Sequence, residues 1–260
     1  MKTMKSKFYS LALAAGMLTL TACSDDNTND SNNDKGNGIE NGSILKGTIT
    51  EDVTLKAGNT YKLSGEYIVE AGATLNIEEG VKIISVYDNI VDYILVKQGA
   101  KINTVGTPDK PIVMTSEKEE PGAWGGIHIC GKAHTNAEGG KGSSEIGGAV
   151  YGGNDDADNS GTLQYIRLEY TGFAFDEEHE ANGISFYGVG NGTIVDHCEA
   201  YKGSDDGFEF FGGSVNVSNM VVVSCSDDSF DWTEGWNGKG TDLVAYQEAK
   251  ATLGYDCDCL

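Results

Sequence analysis

The heptapeptide SDDGFEF at residues 204–210 returns as SDDSFDW at residues 226–232, so two adjacent acids followed by alternating aromatic residues repeat after 22 residues. A repeat of this length is typical of solenoid proteins, in which each repeat forms one coil stacked on its neighbour. In a parallel β-helix, neighbouring coils lie one strand spacing apart, which is ~4.8 Å. The repeat therefore predicts an all-β chain folded as a right-handed parallel β-helix, with the two acidic segments on adjacent coils.

Acidic and aromatic side chains alternate within each copy of the repeat. In the second copy Phe230 and Trp232 flank Asp231, as two phenylalanines flank Glu209 in the first copy. Successive side chains of a strand point to opposite faces. We therefore expect the aromatic rings inside the coils, Trp232 included, and the acids outside.

Short β-prone runs separated by glycine extend this pattern over residues 44–260. The segment GATLNIEEGVKI at residues 72–83 has the order of a strand, a glycine corner and a second strand, and GAKI at residues 99–102 repeats its opening. No segment has a sustained helical period. These residues predict one solenoid domain, and since residues near 260 do not have the composition of a cap, we expect further coils beyond them.

The first 22 residues have the order of a bacterial export signal, with three lysines, an apolar run at residues 11–20 and then LTAC at residues 20–23. The run is too short to span a bilayer. LTAC resembles a lipobox, which makes Cys23 the lipidated N-terminus and the lipid the membrane anchor. The SDD that follows resembles the surface-export signal of lipoproteins from the Bacteroides group, which implies an outer-membrane protein exposed at the cell surface. Residues 23–43, rich in Asn, Asp, Gly and Ser, predict a disordered, flexible tether.

The charge of the chain limits its partners. Its 40 acidic residues outnumber 18 basic ones, for a formal net charge of −22, and Arg167 is the single arginine. Nucleic acid and other polyanions are poor partners for such a surface. With a single arginine there is little means of holding carboxylate or phosphate ligands by bidentate pairing. Neutral glycans, cations and proteins are the partners that this composition favours.

The cysteine count is odd once the lipidation residue is set aside, because five of the six cysteines remain. Cys198 and Cys225 are 27 residues apart, which is one coil plus a short loop. This spacing allows either a disulfide between them or two buried thiols in an internal stack. No combination of Cys and His has the spacing of a zinc site.

Three further segments, together with the acidic repeat, carry a family resemblance. They are GTPDKPIVMTS at residues 106–116, WGGI at residues 124–127 and DNSGTLQYIRLEY at residues 158–170. They resemble segments of Bacteroidota-type surface lipoproteins over residues 44–260. The resemblance implies a pectate-lyase-like right-handed parallel β-helix at the cell surface, and it implies no particular activity.

The six acids of the repeat are candidate metal ligands. Like charges at the strand spacing repel one another by about 1 kcal/mol in bulk water and by more in a partly desolvated groove, so they favour a counter-cation. Ligands that are all oxygen suit Ca²⁺, which accepts six to eight of them. A solvated acidic turn that protects the sheet and a catalytic centre are the alternatives. The candidate ligands are Asp205, Asp206, Glu209, Asp227, Asp228 and Asp231.

An enzymatic alternative comes from DDSFD at residues 227–231, which resembles the calcium-binding motif of family nine pectate lyases. In those enzymes calcium acidifies a sugar proton that a lysine removes, which makes Lys239 the candidate base. Lys202 is the other nearby lysine, and no motif places either lysine beside the acids. We therefore expect a non-enzymatic scaffold that binds a glycan or protein partner, with structural calcium. A calcium-dependent polysaccharide lyase is the alternative.

Two further side chains have predicted environments. Trp236 lies in a predicted loop next to Gly235, where it forms either a sugar-stacking platform or a contact with the core. His128 alternates with Ile127 and Ile129. We therefore expect His128 to point outward into solvent.

Overall fold

The structure is a computed structural model that describes residues 39–175 and 179–248. The predicted signal peptide, the lipidation residue Cys23, most of the tether and the last two cysteines lie outside the described residues. The described part of the chain contains one helix, a 3₁₀ helix at Glu138–Gly140. No helix in that part is long and apolar enough to cross a membrane.

The described residues contain eighteen strands. They are β1 (Ile44–Ile49), β2 (Val53–Leu55), β3 (Thr60–Val69), β4 (Thr74–Ile77), β5 (Lys82–Ser85), β6 (Tyr93–Val96), β7 (Lys101–Val105), β8 (Ile112–Ser116), β9 (Ile127–Cys130), β10 (Gly142–Ser143), β11 (Val150–Tyr151), β12 (Gly161–Glu169), β13 (Ile184–Tyr187), β14 (Ile194–Tyr201), β15 (Phe208–Phe211), β16 (Asn216–Val223), β17 (Phe230–Thr233) and β18 (Gly240–Tyr246). Only β10 and β11 pair antiparallel, in a small separate sheet.

The parallel strands stack into three faces. Face 1 contains β2, β4, β7 and the first halves of β12, β14, β16 and β18. Face 2 contains the first half of β3, then β5, β8 and the second halves of the same four long strands. Face 3 contains the second half of β3, then β6, β9, β13, β15 and β17. The predicted right-handed parallel β-helix is confirmed.

In each of the four long strands β12, β14, β16 and β18, a single residue turns the chain from face 1 to face 2. Tyr165, His197, Asn219 and Asp242 have left-handed φ angles of 50°, 54°, 54° and 56°. Such angles are uncommon outside glycine. The carboxylate of Asp196 supports this corner by accepting hydrogen bonds from Asn219 at 2.8 Å and from His197 at 2.8 Å. Because the corner recurs at the same position, the acidic segments that follow it remain in register.

Apolar side chains fill the inside of the coils, and a second apolar layer covers the outside of face 3. Loops that follow β9 and β12 lie over that face. As a result, His128 points outward but is buried, and its Nε2 lies 2.7 Å from the carbonyl oxygen of Gly125. Burial lowers the pKa of His128 to about 4. The expectation that His128 is solvated was wrong, because alternation along a strand does not reveal what covers its outer face. The second layer consists of Tyr93, Leu95, Cys130, Ile146, Ala149, Tyr151, Ala181, Tyr187 and Phe211.

Cys198 and Cys225 are two buried thiols, which corresponds to the second of the two alternatives. The thiol of Cys198 donates to the carbonyl oxygen of Leu163 at 3.7 Å. The disulfide alternative fails on register, because Glu199 pairs with Val221, so Met220 lies next to Cys198 and Cys225 comes five residues farther along the chain. At ~3.3 Å per residue, this offset exceeds the reach of a disulfide.

The two tryptophans at the end of face 3 have different environments; the one expected inside is exposed, and the other takes the core contact that was one of its two alternatives. Trp232 is 49% exposed, although its register on Phe210 directs it inward. The prediction of a buried Trp232 was wrong, because β17 is the last strand of face 3 in the described residues. Trp236 folds back on the core, where its ring stacks on Phe210 at 4.6 Å between centroids and its Nε1 donates to Val215 O at 3.1 Å.

Candidate cation site

A pocket of about 210 Å³ lies where the chain enters β15 and β17 on face 3. The two copies of the acidic repeat stack there, since Glu209 pairs with Asp231 and the backbone N–H of Asp228 donates to Oδ1 of Asp206 at 2.8 Å. Every side chain that lines the pocket among the described residues is acidic. The lining residues are Glu145, Glu180, Asp205, Asp206, Glu209, Asp227 and Asp231.

Five of the six predicted ligands therefore meet at one pocket. Asp228 is the exception, since it contributes a backbone N–H to Asp206 and does not line the cavity. The structure also adds two acids that the repeat does not contain. Glu145 comes from the loop that covers face 3, and Glu180 forms an isolated antiparallel bridge with Ala174. Neither residue has a sequence signal that relates it to the repeat, because both reach the pocket through tertiary packing.

The carboxylate oxygens form two overlapping groups. One oxygen each from Asp205, Asp206 and Asp227 lie within 4.8 Å of one another, and the same holds for Asp206, Glu209 and Asp231. Asp206 belongs to both groups and is the central residue of the pocket. Oxygens at this separation can bind to a common cation, since Ca²⁺–oxygen distances are about 2.3–2.6 Å.

Burial changes the titration of the central carboxyls. Burial, followed by the charges of Glu180 and Asp227, raises the pKa of Asp205 to about 7. Burial and then the charge of Asp205 raise the pKa of Asp206 to about 8. Asp205 is 8% exposed and Asp206 is 7% exposed. Charged carboxylates in this position need a counter-cation, because water reaches them poorly.

Glu209 has the highest pKa of the three. Burial, followed by the charges of Asp206 and Glu145, raises its pKa to about 10. The buried amide of Asn182 donates to Glu209 Oε2 at 2.6 Å and to Ser185 Oγ at 3.1 Å. Oδ1 of Asn182 has no hydrogen-bond partner among the described residues. An oxygen acceptor thus remains unused beside the acidic pocket.

The candidate catalytic lysine does not reach the pocket. Lys239 lies immediately before β18, at the start of face 1, where its backbone N–H donates to Oδ1 of Asn216 at 3.0 Å. Lys202 forms an ion pair with Glu248 at 3.5 Å. The pocket lining contains no Lys, Arg or His in the described part of the chain. After β17 the chain turns away from face 3 before it reaches Lys239. Lys239 is therefore close to the acids in the sequence but does not line the pocket.

The donor set of the pocket determines which cation it suits. Seven carboxylates supply oxygen only, which is the ligand type that Ca²⁺ and Mg²⁺ prefer. Structural zinc sites are built mainly from cysteine sulfur and histidine nitrogen, and the lining residues supply neither. Ca²⁺ fits better than Mg²⁺, because it tolerates many carboxylates in irregular geometry whereas Mg²⁺ needs a near-octahedral arrangement and retains several waters.

Comparison with known proteins gives one match. A family model described as a pectate-lyase-like β-helix domain matches residues 47–259. No curated protein and no solved structure matches the chain. The matched range runs from β1 past β18 and so includes both copies of the acidic repeat and the pocket between them.

Proposed function

The chain belongs to the pectate-lyase-like β-helix domain family, and from this premise we propose that it is a non-enzymatic cell-surface lipoprotein. Its β-helix serves as a scaffold that binds glycan or protein partners and is stabilised by Ca²⁺ in the acidic pocket. The observation that supports this proposal most directly is the convergence of seven carboxylates on one pocket whose described lining contains no basic side chain.

Calcium in the pocket would act as a structural clamp. The carboxylates come from four separate chain segments: the two copies of the repeat, the loop that carries Glu145 and the segment that carries Glu180. A cation that binds all of them offsets their mutual repulsion and joins the loops to adjacent coils. Since each coil of a solenoid contacts mainly its neighbours, such a clamp stabilises the region where the coils and the covering loops meet.

The proposed location and partners are supported by the sequence. The lipobox ending at Cys23 and the acidic residues after it support an outer-membrane lipoprotein exposed at the cell surface, in contact with the membrane through its lipid. The predicted tether, residues 23–43, would give the domain reach away from the membrane. A net charge of −22 disfavours nucleic acid and leaves glycans and proteins as the partners.

Isothermal titration calorimetry tests the calcium site. The chelator-treated wild-type domain is titrated with CaCl₂, and Asp206→Asn is compared with Asp109→Asn, an exposed acid far from the pocket. We expect binding heat and a higher Tm with Ca²⁺ for the wild type and for Asp109→Asn, and a loss of both for Asp206→Asn. A wild-type domain that shows neither heat nor a change in Tm contradicts the calcium proposal.

Protease treatment of intact cells tests the location. A surface-exposed domain is cleaved in intact cells, whereas a lipoprotein that faces the periplasm survives until the outer membrane is permeabilised. Replacing Cys23 with Ser should release the protein from the membrane fraction. Survival of the wild-type domain in intact cells, under conditions that degrade a known surface protein, contradicts surface exposure.

A calcium-dependent polysaccharide lyase is the second candidate. The family description and the acidic motif at residues 227–231 favour it. The placement of Lys239 disfavours it, because proton abstraction requires a base within hydrogen-bonding reach of the sugar. The assay is the ultraviolet absorbance of unsaturated sugars on a panel of polyuronates with Ca²⁺. Activity that disappears in Asp206→Asn supports the lyase, and no activity across the panel supports the scaffold.

A further inference from the structure

A row of neutral polar side chains runs along the outside of face 1, away from the acidic pocket. Thr54 pairs in register with Asn76, and Asn76 pairs with Asn103. The same register continues to Thr162 on the next coil. Nδ2 of Asn103 donates to Oδ1 of Asn76 at 2.9 Å, so the two amides have a defined orientation. The first three residues of the row, Thr54, Asn76 and Asn103, line a trough of about 680 Å³, which we call the amide trough.

The charged residues at the edges of the amide trough are engaged with one another. Lys56 pairs with Glu78 at 3.3 Å, and Lys110 pairs with Glu79 at 2.7 Å. Glu78 also accepts the backbone N–H of Ala57 at 2.9 Å. The floor of the trough is therefore neutral although the chain as a whole is strongly acidic.

The two asparagines offer a partner their side chains only. Their strands, β4 and β7, each pair with a neighbouring coil on both sides, so an extended peptide has no sheet edge to join there; the edge of face 1 is β2, where the Ile39 N–H donates to Thr54 O at 3.3 Å. The hydrogen bond between the two asparagines leaves Nδ2 of Asn76 as a donor and Oδ1 of Asn103 as an acceptor for a ligand. Val105, 46% exposed, adds an apolar surface beside them.

We propose that the amide trough binds a neutral glycan chain that runs parallel to the axis of the β-helix. Amide and hydroxyl groups repeat there at the coil spacing of ~4.8 Å, which is close to the length of one sugar unit, so successive sugars meet equivalent groups. The amides hydrogen-bond to sugar hydroxyls and Val105 contacts the apolar C–H face of a ring. A polyuronate is disfavoured, because no lysine of the trough is without a carboxylate partner. This inference rests on the proposed scaffold function and gives it a location and a ligand class.

Affinity electrophoresis and calorimetry with defined polysaccharides test the proposal on the tethered, unlipidated domain with Ca²⁺ present. The probes are soluble neutral glucans, xylans, mannans and galactans, with polygalacturonate as the anionic comparison. The test variant is Asn76→Ala combined with Asn103→Ala, and Asn103→Asp adds a charge at one position. The control is Thr48→Ala, which removes an exposed hydroxyl from face 3. Circular dichroism and Tm verify that each variant folds.

At least one neutral polysaccharide should bind to the wild type and to the control, with affinity about tenfold or more lower in the double variant and in Asn103→Asp. Equal binding by the wild type and the folded double variant overturns the amide trough while the scaffold function stands. Binding of polygalacturonate alone also overturns it. If the wild type binds none of the probes, the trough inference fails, and the calcium titration then shows independently whether the cation part of the proposed function fails with it.

Discussion

Oδ1 of Asp206 accepts a hydrogen bond at 2.8 Å from the backbone N–H of Asp228, which occupies a later copy of the same repeat. The bond joins two adjacent coils at the point where each begins its strand of face 3. Asp206 is also the residue shared by both groups of carboxylate oxygens. One side chain thus maintains the stacking of the repeat and lies at the centre of the acidic pocket.

The first prediction concerns charge at that centre. Asp206→Asn keeps an oxygen that can accept the Asp228 N–H but removes a buried negative charge. We expect Ca²⁺ affinity to fall by at least about tenfold, since a ligand charge is lost. In chelator at pH 8 we expect the variant to have a higher Tm than the wild type, because the wild type must there either bury a charged carboxylate or keep it protonated, and asparagine avoids both costs. Calorimetry and thermal unfolding with and without Ca²⁺ measure both effects, and Asp109→Asn should change neither.

The second prediction concerns the pH dependence of stability without calcium. The pKa of Asp205 is raised to about 7 and that of Asp206 to about 8, above the ordinary value near 4 of an unfolded chain. The folded state therefore holds more protons, so the stability contributed by these groups is fully present below about pH 4 and is lost as the pH rises through 7 and 8. We expect the Tm in chelator to fall over this range and saturating Ca²⁺ to reduce the fall. A Tm that rises from pH 5 to pH 8 in chelator contradicts the prediction.

The third prediction concerns His134, whose two ring nitrogens both face acceptors. Nδ1 lies 2.8 Å from Oδ1 of Asp156, and Nε2 lies 2.9 Å from the carbonyl oxygen of Gly235. Both bonds require the imidazolium, and Asp156 followed by the Gly235 carbonyl raises the pKa of His134 above its ordinary value. This contribution to stability is present below the unfolded pKa of about 6.5 and is lost as the pH rises through the folded pKa.

The measurement for His134 is an NMR titration of the ring, in which we expect a midpoint above that of an exposed histidine. His134→Gln should lower the Tm more at pH 5.5 than at pH 9, because glutamine replaces neither the charge nor both bonds. The matched variant is His197→Gln. In the wild type, Nδ1 of His197 lies 2.8 Å from a carboxylate oxygen of Asp196. A titration midpoint for His134 at or below that of a model peptide would contradict the pair of hydrogen bonds made by the imidazolium.

The fourth prediction concerns the aromatic stack inside face 3. Phe210 is fully buried between Phe186, at 5.1 Å between ring centroids, and Trp236, at 4.6 Å. Phe210→Ala should lower the free energy of unfolding by about 3–5 kcal/mol, because the cavity lies between rigid coils that cannot close it. Phe175→Ala, at a position that is 41% exposed, is the control and should cost much less. Urea unfolding followed by tryptophan fluorescence and circular dichroism measures both variants.

The repeat at residues 204–210 and 226–232 predicted the stacking of its acids correctly, because a solenoid relates neighbouring coils by sequence offset alone. Glu209 pairs with Asp231 as the alternation requires. The same rule failed for Trp232 and His128. Trp232 has no strand over it among the described residues, whereas His128 lies under the apolar layer that covers the outside of face 3. Local alternation gives the direction of a side chain and not what covers it.

The amino-acid sequence by itself determined the coil length, the β-helix and the alignment of the two acidic segments, because each depends on contacts between residues about 22 positions apart. Only the tertiary structure decided that Glu145 and Glu180 complete the pocket and that Lys239 lies on another face. It also decided that Cys198 and Cys225 are separate thiols. These placements depend on the paths of irregular loops and on strand register, which no periodic pattern in the chain records.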